Sequence, residues 1–296
     1  VALALSAAWV LLLPPAQRVL RIAGVLFFGA AVLSFALTTP VGGNTSRLGA
    51  VFMGPLLLCA RPGALRSPAC ALALAALLVW QWNAPVREVP KGWSEPLTRG
   101  ATYTGLERFF ASRHAVRVEV PFTVSHWETA WLPPRFALAR GWEKQLDTRY
   151  DALFFHKPLR PAVYHAWLRS LGVRYVALAD SPLDPSSKQE AALLRGGVPF
   201  LRAVWSDRHW RVWQLVDPLP LASGAARLSA LHEDSFVLRF RSAGSATVLV
   251  RSSPLWRADG GACVASAPGG WTQVRSRAAG LIRVTTRLGG GPACAG

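Results

Sequence analysis

The sequence predicts a membrane α-helical segment followed by a soluble α+β region, in which a small α/β domain precedes an antiparallel, β-sandwich-like domain. Three observations predict it. The 296 residues are 51% hydrophobic and only 17% charged, against about 25% charged in ordinary globular chains, and their mean hydropathy is +0.26. The charges are unevenly placed. Residues 1–82 carry five arginines (Arg18, Arg21, Arg47, Arg61 and Arg66) and no acid, whereas the rest holds the other 28 of 33 basic residues and all 16 acidic ones, a net of +12. After Trp82 the long apolar runs give way to short helical and alternating segments.

Residues 1–82 predict about four transmembrane helices. Crossing the hydrocarbon core takes about 20 apolar residues. Residues 1–13 are apolar throughout but rise only about 20 Å. They begin at Val1 with no basic segment before them, so they read as the truncated end of a helix whose first half lies upstream, not as a signal peptide. A second run extends from Ile22 to about Thr39, a third from Leu48 to Ala60 and a fourth from Pro68 to Trp82. The third is short and interrupted by Gly54-Pro55, which predicts a tilted, broken or re-entrant helix. Arg18 and Arg21 flank one turn and Arg61 and Arg66 another, while the loop from Thr38 to Arg47 has a single arginine. The positive-inside rule places the two arginine-bearing turns in the cytoplasm and sets Trp80 and Trp82 at the outer interface. The expectation is a multi-pass plasma-membrane protein whose C-terminal part is extracytoplasmic.

Residues 83–100, rich in Pro, Gly and charge, read as a linker. Residues 101–220 form the expected α/β domain. Gly105–Arg113 has helical character, and Val116–Val120 alternates like a strand and stops at Pro121. Val163, Trp167 and Leu171 share a helix face that ends at Gly172, and a strand follows from Val173 to Leu178. Lys188–Leu194 reads as a helix and Trp210–Leu215 as a strand. Residues 221–296 contain only strand patterns, around 236–240, 247–251, 271–275 and 281–288, separated by Gly/Ser/Pro turns. Such spacing predicts a β-sandwich-like domain. Cys263 and Cys294 lie in this domain, where an oxidising exterior permits a disulfide between them. Cys59 and Cys70 fall in or beside spans and read as packing residues.

The residues richest in chemistry are His126, Trp127 and Glu128, followed by Arg140, Glu143 and Asp147. Acids and a histidine beside indoles suit sugar binding, because carboxylates bond hydroxyls or move protons and an indole face covers the apolar side of a pyranose. The same residue types also build an internal ion-pair network with tryptophans as core, and the sequence leaves both readings open. His156 and His165 are nine apart, not the i,i+4 spacing of a helical metal pair. His126-Trp-Glu128 has the H-x-E of the zinc deaminases without their P-C-x-x-C. No Cys/His zinc spacing, nucleotide-binding glycine motif or nucleophile elbow occurs, and no cofactor or metal is expected from these residues. On the polar loop ending at Arg47, that arginine is placed to hold a lipid phosphate, or to snorkel from an ordinary turn. The basic residues comprise 29 Arg and only four Lys, dispersed instead of clustered. They favour anionic lipid headgroups as partners over nucleic acid. A transporter would place charges inside its spans, and these runs contain none.

The order of Gly42-Gly-Asn-Thr-Ser-Arg47, two last spans and a mixed exterior domain resembles the C-terminal part of bacterial, actinobacterial-looking multispan proteins. These are of the GT-C glycosyltransferase type, including the lipoteichoic-acid-glycosylating membrane proteins. Trp167-Leu-Arg-Ser-Leu-Gly-Val-Arg-Tyr-Val-Ala-Leu178 is similar to their helix and following strand. Ser253-Pro-Leu-Trp256, Gly260-Gly261 and Gly269-Gly-Trp271 resemble the hairpin of their terminal β domain. The resemblance implies a polyprenyl-phosphate-linked sugar donor on the outer face and a cell-envelope glycan acceptor bound with help from the soluble region. It places the catalytic acid in an upstream exterior loop, so no catalytic residue is assigned here. Arg47 becomes a donor-side phosphate contact, and a divalent metal in the full-length protein stays open. The alternative is a non-enzymatic, membrane-anchored envelope binding or scaffold protein.

Overall fold

Large apolar side chains face outward along the first helices of the chain. The computed structural model describes residues 2–37, 44–61, 63–113, 116–141, 148–155, 158–287 and 294, and the chain divides into two units, Val1–Ser94 and Glu95–Gly296. The first contains α1 (Ala2–Leu12), α2 (Arg18–Ala36), α3 (Thr45–Ala60) and α4 (Pro68–Ser94). Helices α2 and α4 are long and apolar enough to cross a membrane, and only 11% of each apolar window is buried. Val19, Leu72 and Val79 are at least 70% exposed. Apolar surface on this scale is stable against hydrocarbon and not against water, so the unit associates with a membrane. Helices α1 and α3, with 11 and 16 residues, rise about 16 and 24 Å, short of the roughly 30 Å core.

The inward faces of these helices pack Trp9, Leu13, Met53, Leu57, Ala60 and Leu77. Trp9 Nε1 donates to the Met53 carbonyl at 2.7 Å, and Arg61 donates to the Leu12 carbonyl at 3.1 Å, satisfying an acceptor left over at the end of α1. Two sequence expectations change. Gly54-Pro55 does not break the third helix, because Pro55 lies inside a continuous α3. Nor does the fourth helix stop at Trp82. It continues through Pro85 and Pro90 to Ser94, over much of the expected linker. Each proline removes a single i→i−4 bond, and the bonds between them carry the helix on. Beyond it come short 3₁₀ turns at Pro96–Thr98 and Gly100–Tyr103.

The second unit opens with α5 (Thr104–Ala111), β1 (Arg117–Glu119), α6 (Glu128–Trp131) and β2 (Ala137–Leu138). Then follow α7 (Pro161–Ser170), β3 (Val173–Ala179), α8 (Lys188–Gly196), β4 (Leu201–Ser206) and β5 (Trp210–Leu215). The strands form one mixed sheet in the order β2-β1-β3-β5-β4, parallel across β2, β1 and β3 and antiparallel beyond. Both faces are covered. Leu106 and Phe110 of α5 pack with Val118, Tyr175, Ala177 and Trp210 on one. Tyr164 and Leu168 of α7 and Leu194 of α8 pack with Val176 and Leu178 on the other. Gly172 ends α7 in the left-handed region at φ 65°, as its place after the helical run predicts.

The remaining strands are β6 (Ala222–Gly224), β7 (Ala226–Leu231), β8 (Ser235–Phe240) and β9 (Gly244–Arg251), then β10 (Trp256–Ala258), β11 (Cys263–Ala267), β12 (Trp271–Ser276) and β13 (Gly280–Thr286). They form two antiparallel four-stranded sheets, β10-β13-β8-β7 and β11-β12-β9-β6. Phe236, Leu238, Ile282 and Val284 of the first meet Val248 and Val274 of the second in one core, which makes the domain a β-sandwich. Cys263 is bonded to Cys294.

Candidate functional site

Strand β1 lies between β2 and β3, so the connection leaving β1 runs to one side and that leaving β3 to the other. Such a reversal is a topological switch point, and open α/β sheets bind ligands beyond the carboxyl ends of the strands there. The loops leaving β1 and β3 are zipped together at this edge. Val124 N–H donates to the Pro182 carbonyl and Asp184 N–H to that of Phe122, both at 2.9 Å. Phe122 N–H donates to Ser187 Oγ at 2.8 Å.

Glu128, fully buried at the start of α6, accepts from Thr123 N–H at 2.9 Å and Thr123 Oγ1–H at 2.6 Å. Burial raises its carboxyl above the ordinary range, and the two bonds from Thr123 draw it partly back. His126 sits between two carboxylates, with Nδ1 3.9 Å from Glu128 and Nε2 3.7 Å from Asp184. Both separations exceed a hydrogen bond. Its backbone adopts φ 58°, a region that non-glycine residues enter at a cost and that clusters at ligand sites. Thr129 Oγ1 holds the strained turn by donating to the His126 carbonyl at 2.7 Å. Trp127, between them in sequence, is 40% exposed. A histidine flanked by carboxylates can hold or pass a proton, and Trp127 presents an exposed indole on the same turn.

Arg140 lies elsewhere, with its guanidinium 1% exposed. It donates to Glu119 through Nε at 2.8 Å and also through Nη2, and through Nη2 to Glu190 at 2.8 Å. Tyr164 Oη–H donates to the other oxygen of Glu190 at 2.7 Å. The guanidinium also covers the Phe154 ring at 3.7 Å. Burial pushes the Glu119 carboxyl well up and raises Glu190 as well, against the pull of Arg140. This is an internal ion-pair network on one face of the mixed sheet. Phe122 touches both groups, edge-on to His126 at 5.3 Å and under Arg140 at 4.5 Å.

The structure therefore brings His126 near Glu128 and Asp184, leaves Trp127 exposed, and places Arg140 in a separate buried network. Arg47 stands exposed on the first turn of α3, in the helical unit. Glu143 and Asp147 lie outside the described residues, as does His156. Sequence reasoning missed Thr123, Asp184, Glu119 and Glu190. Two signals were present. Arg117 and Glu119 alternate with valines in a strand expected to lie in an α/β sheet, where both faces are buried. Asp184-Pro-Ser-Ser187 is a helix-start pattern, and Asp184 accepts from Ser186 N–H at 2.9 Å.

No family model matches the chain, and no curated protein or solved structure matches it either. Among the described residues, no group of three or more His, Cys, Asp or Glu side chains is placed to hold a metal ion.

Proposed function

We propose that this chain belongs to a polytopic, glycosyltransferase-like membrane protein that uses a polyprenyl-phosphate-linked sugar at the outer face. Its soluble, extracytoplasmic unit contributes to binding a cell-envelope glycan acceptor. The observation that carries the reading is the exposed indole of Trp127, which lies between His126 and Glu128 in sequence on the loop leaving β1. Two outward-apolar helices of membrane length support it. In this reading Arg47 holds the donor phosphate and the sugar ring of the acceptor lies on Trp127. A carboxylate of an exterior loop outside these 296 residues takes the acceptor proton as the donor phosphate leaves.

The test is transfer by the full-length protein in liposomes, with a polyprenyl-phosphate hexose and an envelope glycan acceptor. Trp127→Ala should raise the acceptor KM about tenfold with kcat little changed, the signature of lost binding that is equal in ground and transition states. An unchanged acceptor KM, or full transfer after every acid of the first exterior loop is replaced, overturns the reading.

One observation favours a second reading, a non-enzymatic envelope binding or scaffold protein. Glu119, Glu128 and Glu190 are completely buried and engaged by Arg140, Thr123 and Tyr164. Retained glycan or lipid binding with no transfer under any donor would select it.

A further inference from the structure

Between the mixed sheet and the sandwich, within the second unit, lies a cavity of about 280 Å³ lined in part by Arg117, Tyr150, Asp151, Leu171, Arg251 and Trp271. Arg117, on β1, is only 8% exposed. Its Nη1 donates to the Leu171 carbonyl at the end of α7, and its Nε is buried with no hydrogen-bond partner. Among the described residues no carboxylate lies within ion-pair reach of it. A buried cation without a counter-charge is unfavourable. Arg251, on β9, is fixed over Tyr150 at 4.4 Å and Trp271 at 4.3 Å, and donates to the Gly269 carbonyl at 3.0 Å. Burial and the nearby Arg251 charge push the Arg117 guanidinium down to about 10, so it is still cationic at neutral pH.

The other ionisable groups in the wall have partners of their own. Arg140 also lines the cavity, but its charge is spent on Glu119 and Glu190. Asp151 accepts from Trp167 Nε1–H at 2.9 Å through one oxygen, and its other oxygen accepts no hydrogen bond from the described residues. Among the described residues Arg117 has no acidic partner and Arg251 is held by aromatic rings and a backbone carbonyl, so a bound anion would supply the charge-assisted partner that both lack. The volume lies just below the ~300–1,000 Å³ range of small-molecule sites, which suits one sugar-sized unit and not a polymer.

We propose that this cavity binds a hydroxylated organic anion of monosaccharide size, a sugar phosphate or a sugar carboxylate. Arg117 and Arg251 take the anionic group and Asp151 accepts from a hydroxyl. The site stands independently of the transferase reading. Isothermal titration of the full chain in detergent micelles tests it, with glucose 6-phosphate, glucuronate, glucose and inorganic phosphate as probes. At least one charged sugar should bind, with glucose and inorganic phosphate each at least about tenfold weaker. The preferred probe distinguishes the phosphate from the carboxylate form of the ligand. Arg251→Gln should weaken the charged sugar about tenfold, and an unchanged far-ultraviolet circular dichroism spectrum checks that the fold is retained. Asp151→Asn should narrow the gap between the charged sugar and inorganic phosphate, because it weakens the acceptor of the sugar hydroxyl while removing a charge that repels both anions. Equal binding of glucose, equal binding of inorganic phosphate, indifference to Arg251→Gln, or no binding of either charged sugar up to about 10 mM each overturns the proposal.

Discussion

At the scale of single residues, burial decides what each charged group does. Arg140 has the composition of a ligand-binding arginine and the surroundings of a core residue, with two carboxylates and aromatic rings around its guanidinium. Arg140→Met strands Glu119 and Glu190 as buried carboxylates. Such a break costs about 3–5 kcal/mol, to be read as a lowered denaturation midpoint in urea. The pH dependence has a definite sign. Burial raises the folded-state Glu119 carboxyl above the ordinary value, so the native state binds more protons than the unfolded chain. Stability is then lost as pH rises from about 4.5, the ordinary glutamate range, through the raised folded value. Glu119→Gln removes that dependence. The stability of the wild type relative to this variant should therefore fall with rising pH, and a difference that grows the other way would contradict the assignment.

At the scale of elements, close approach depends on small residues. A Cβ at Gly24 of α2 would sit 2.7 Å from the Trp9 ring and 2.8 Å from Val10. Trp9 cannot yield freely, because its indole N–H is bonded to the Met53 carbonyl. Small residues let membrane helices touch in this way. Gly24→Val should separate α1 from α2, with a loss of about 1–3 kcal/mol visible as a lower midpoint in denaturation from micelles, whereas Gly29→Ala meets open space and should be neutral. Periodicity made most of the elements of the mixed sheet legible. Helices α5, α7 and α8 and strands β1, β3 and β5 lie where their apolar spacing predicts. Strand β2 has two residues, too few for any period. Strand β4, with Trp205 half-buried beside exposed neighbours across an irregular register, has no clean alternation. The helical continuation through Pro85 and Pro90 was illegible for a different reason. Local chemistry there argues for a break, and the helix tolerates one missing bond per proline.

At the scale of the whole molecule, the arginine distribution predicts that the exposed parts of the second unit lie outside the cell and the turn between α3 and α4 inside. Cysteine labelling with a membrane-impermeant maleimide in intact cells tests this, in a Cys59→Ser background because Cys59 is exposed. Ser242→Cys should react and Leu65→Cys should be protected until the cells are lysed. The reverse pattern would invert the topology. The net of +12 after residue 82 would then face the cytoplasmic leaflet.

The sequence by itself determined the division into an apolar helical segment and a charged α+β region, the alternation of helices and strands in the first domain, and the strand-only character of the second. These follow from hydrophobic period and charge placement, which are local and survive without knowledge of the fold. The tertiary structure alone decided which charges were spent. His126, Asp184 and Thr123 meet because two parallel strands deliver their loops to one sheet edge, although 58 residues separate His126 from Asp184. Arg140 meets Glu190 fifty positions away. Arg117 reaches the cavity beside Arg251 only because the sandwich packs against the mixed sheet. Long-range neighbours set burial, and burial turns a charged residue into a structural tie, a proton-holding group or an anion ligand.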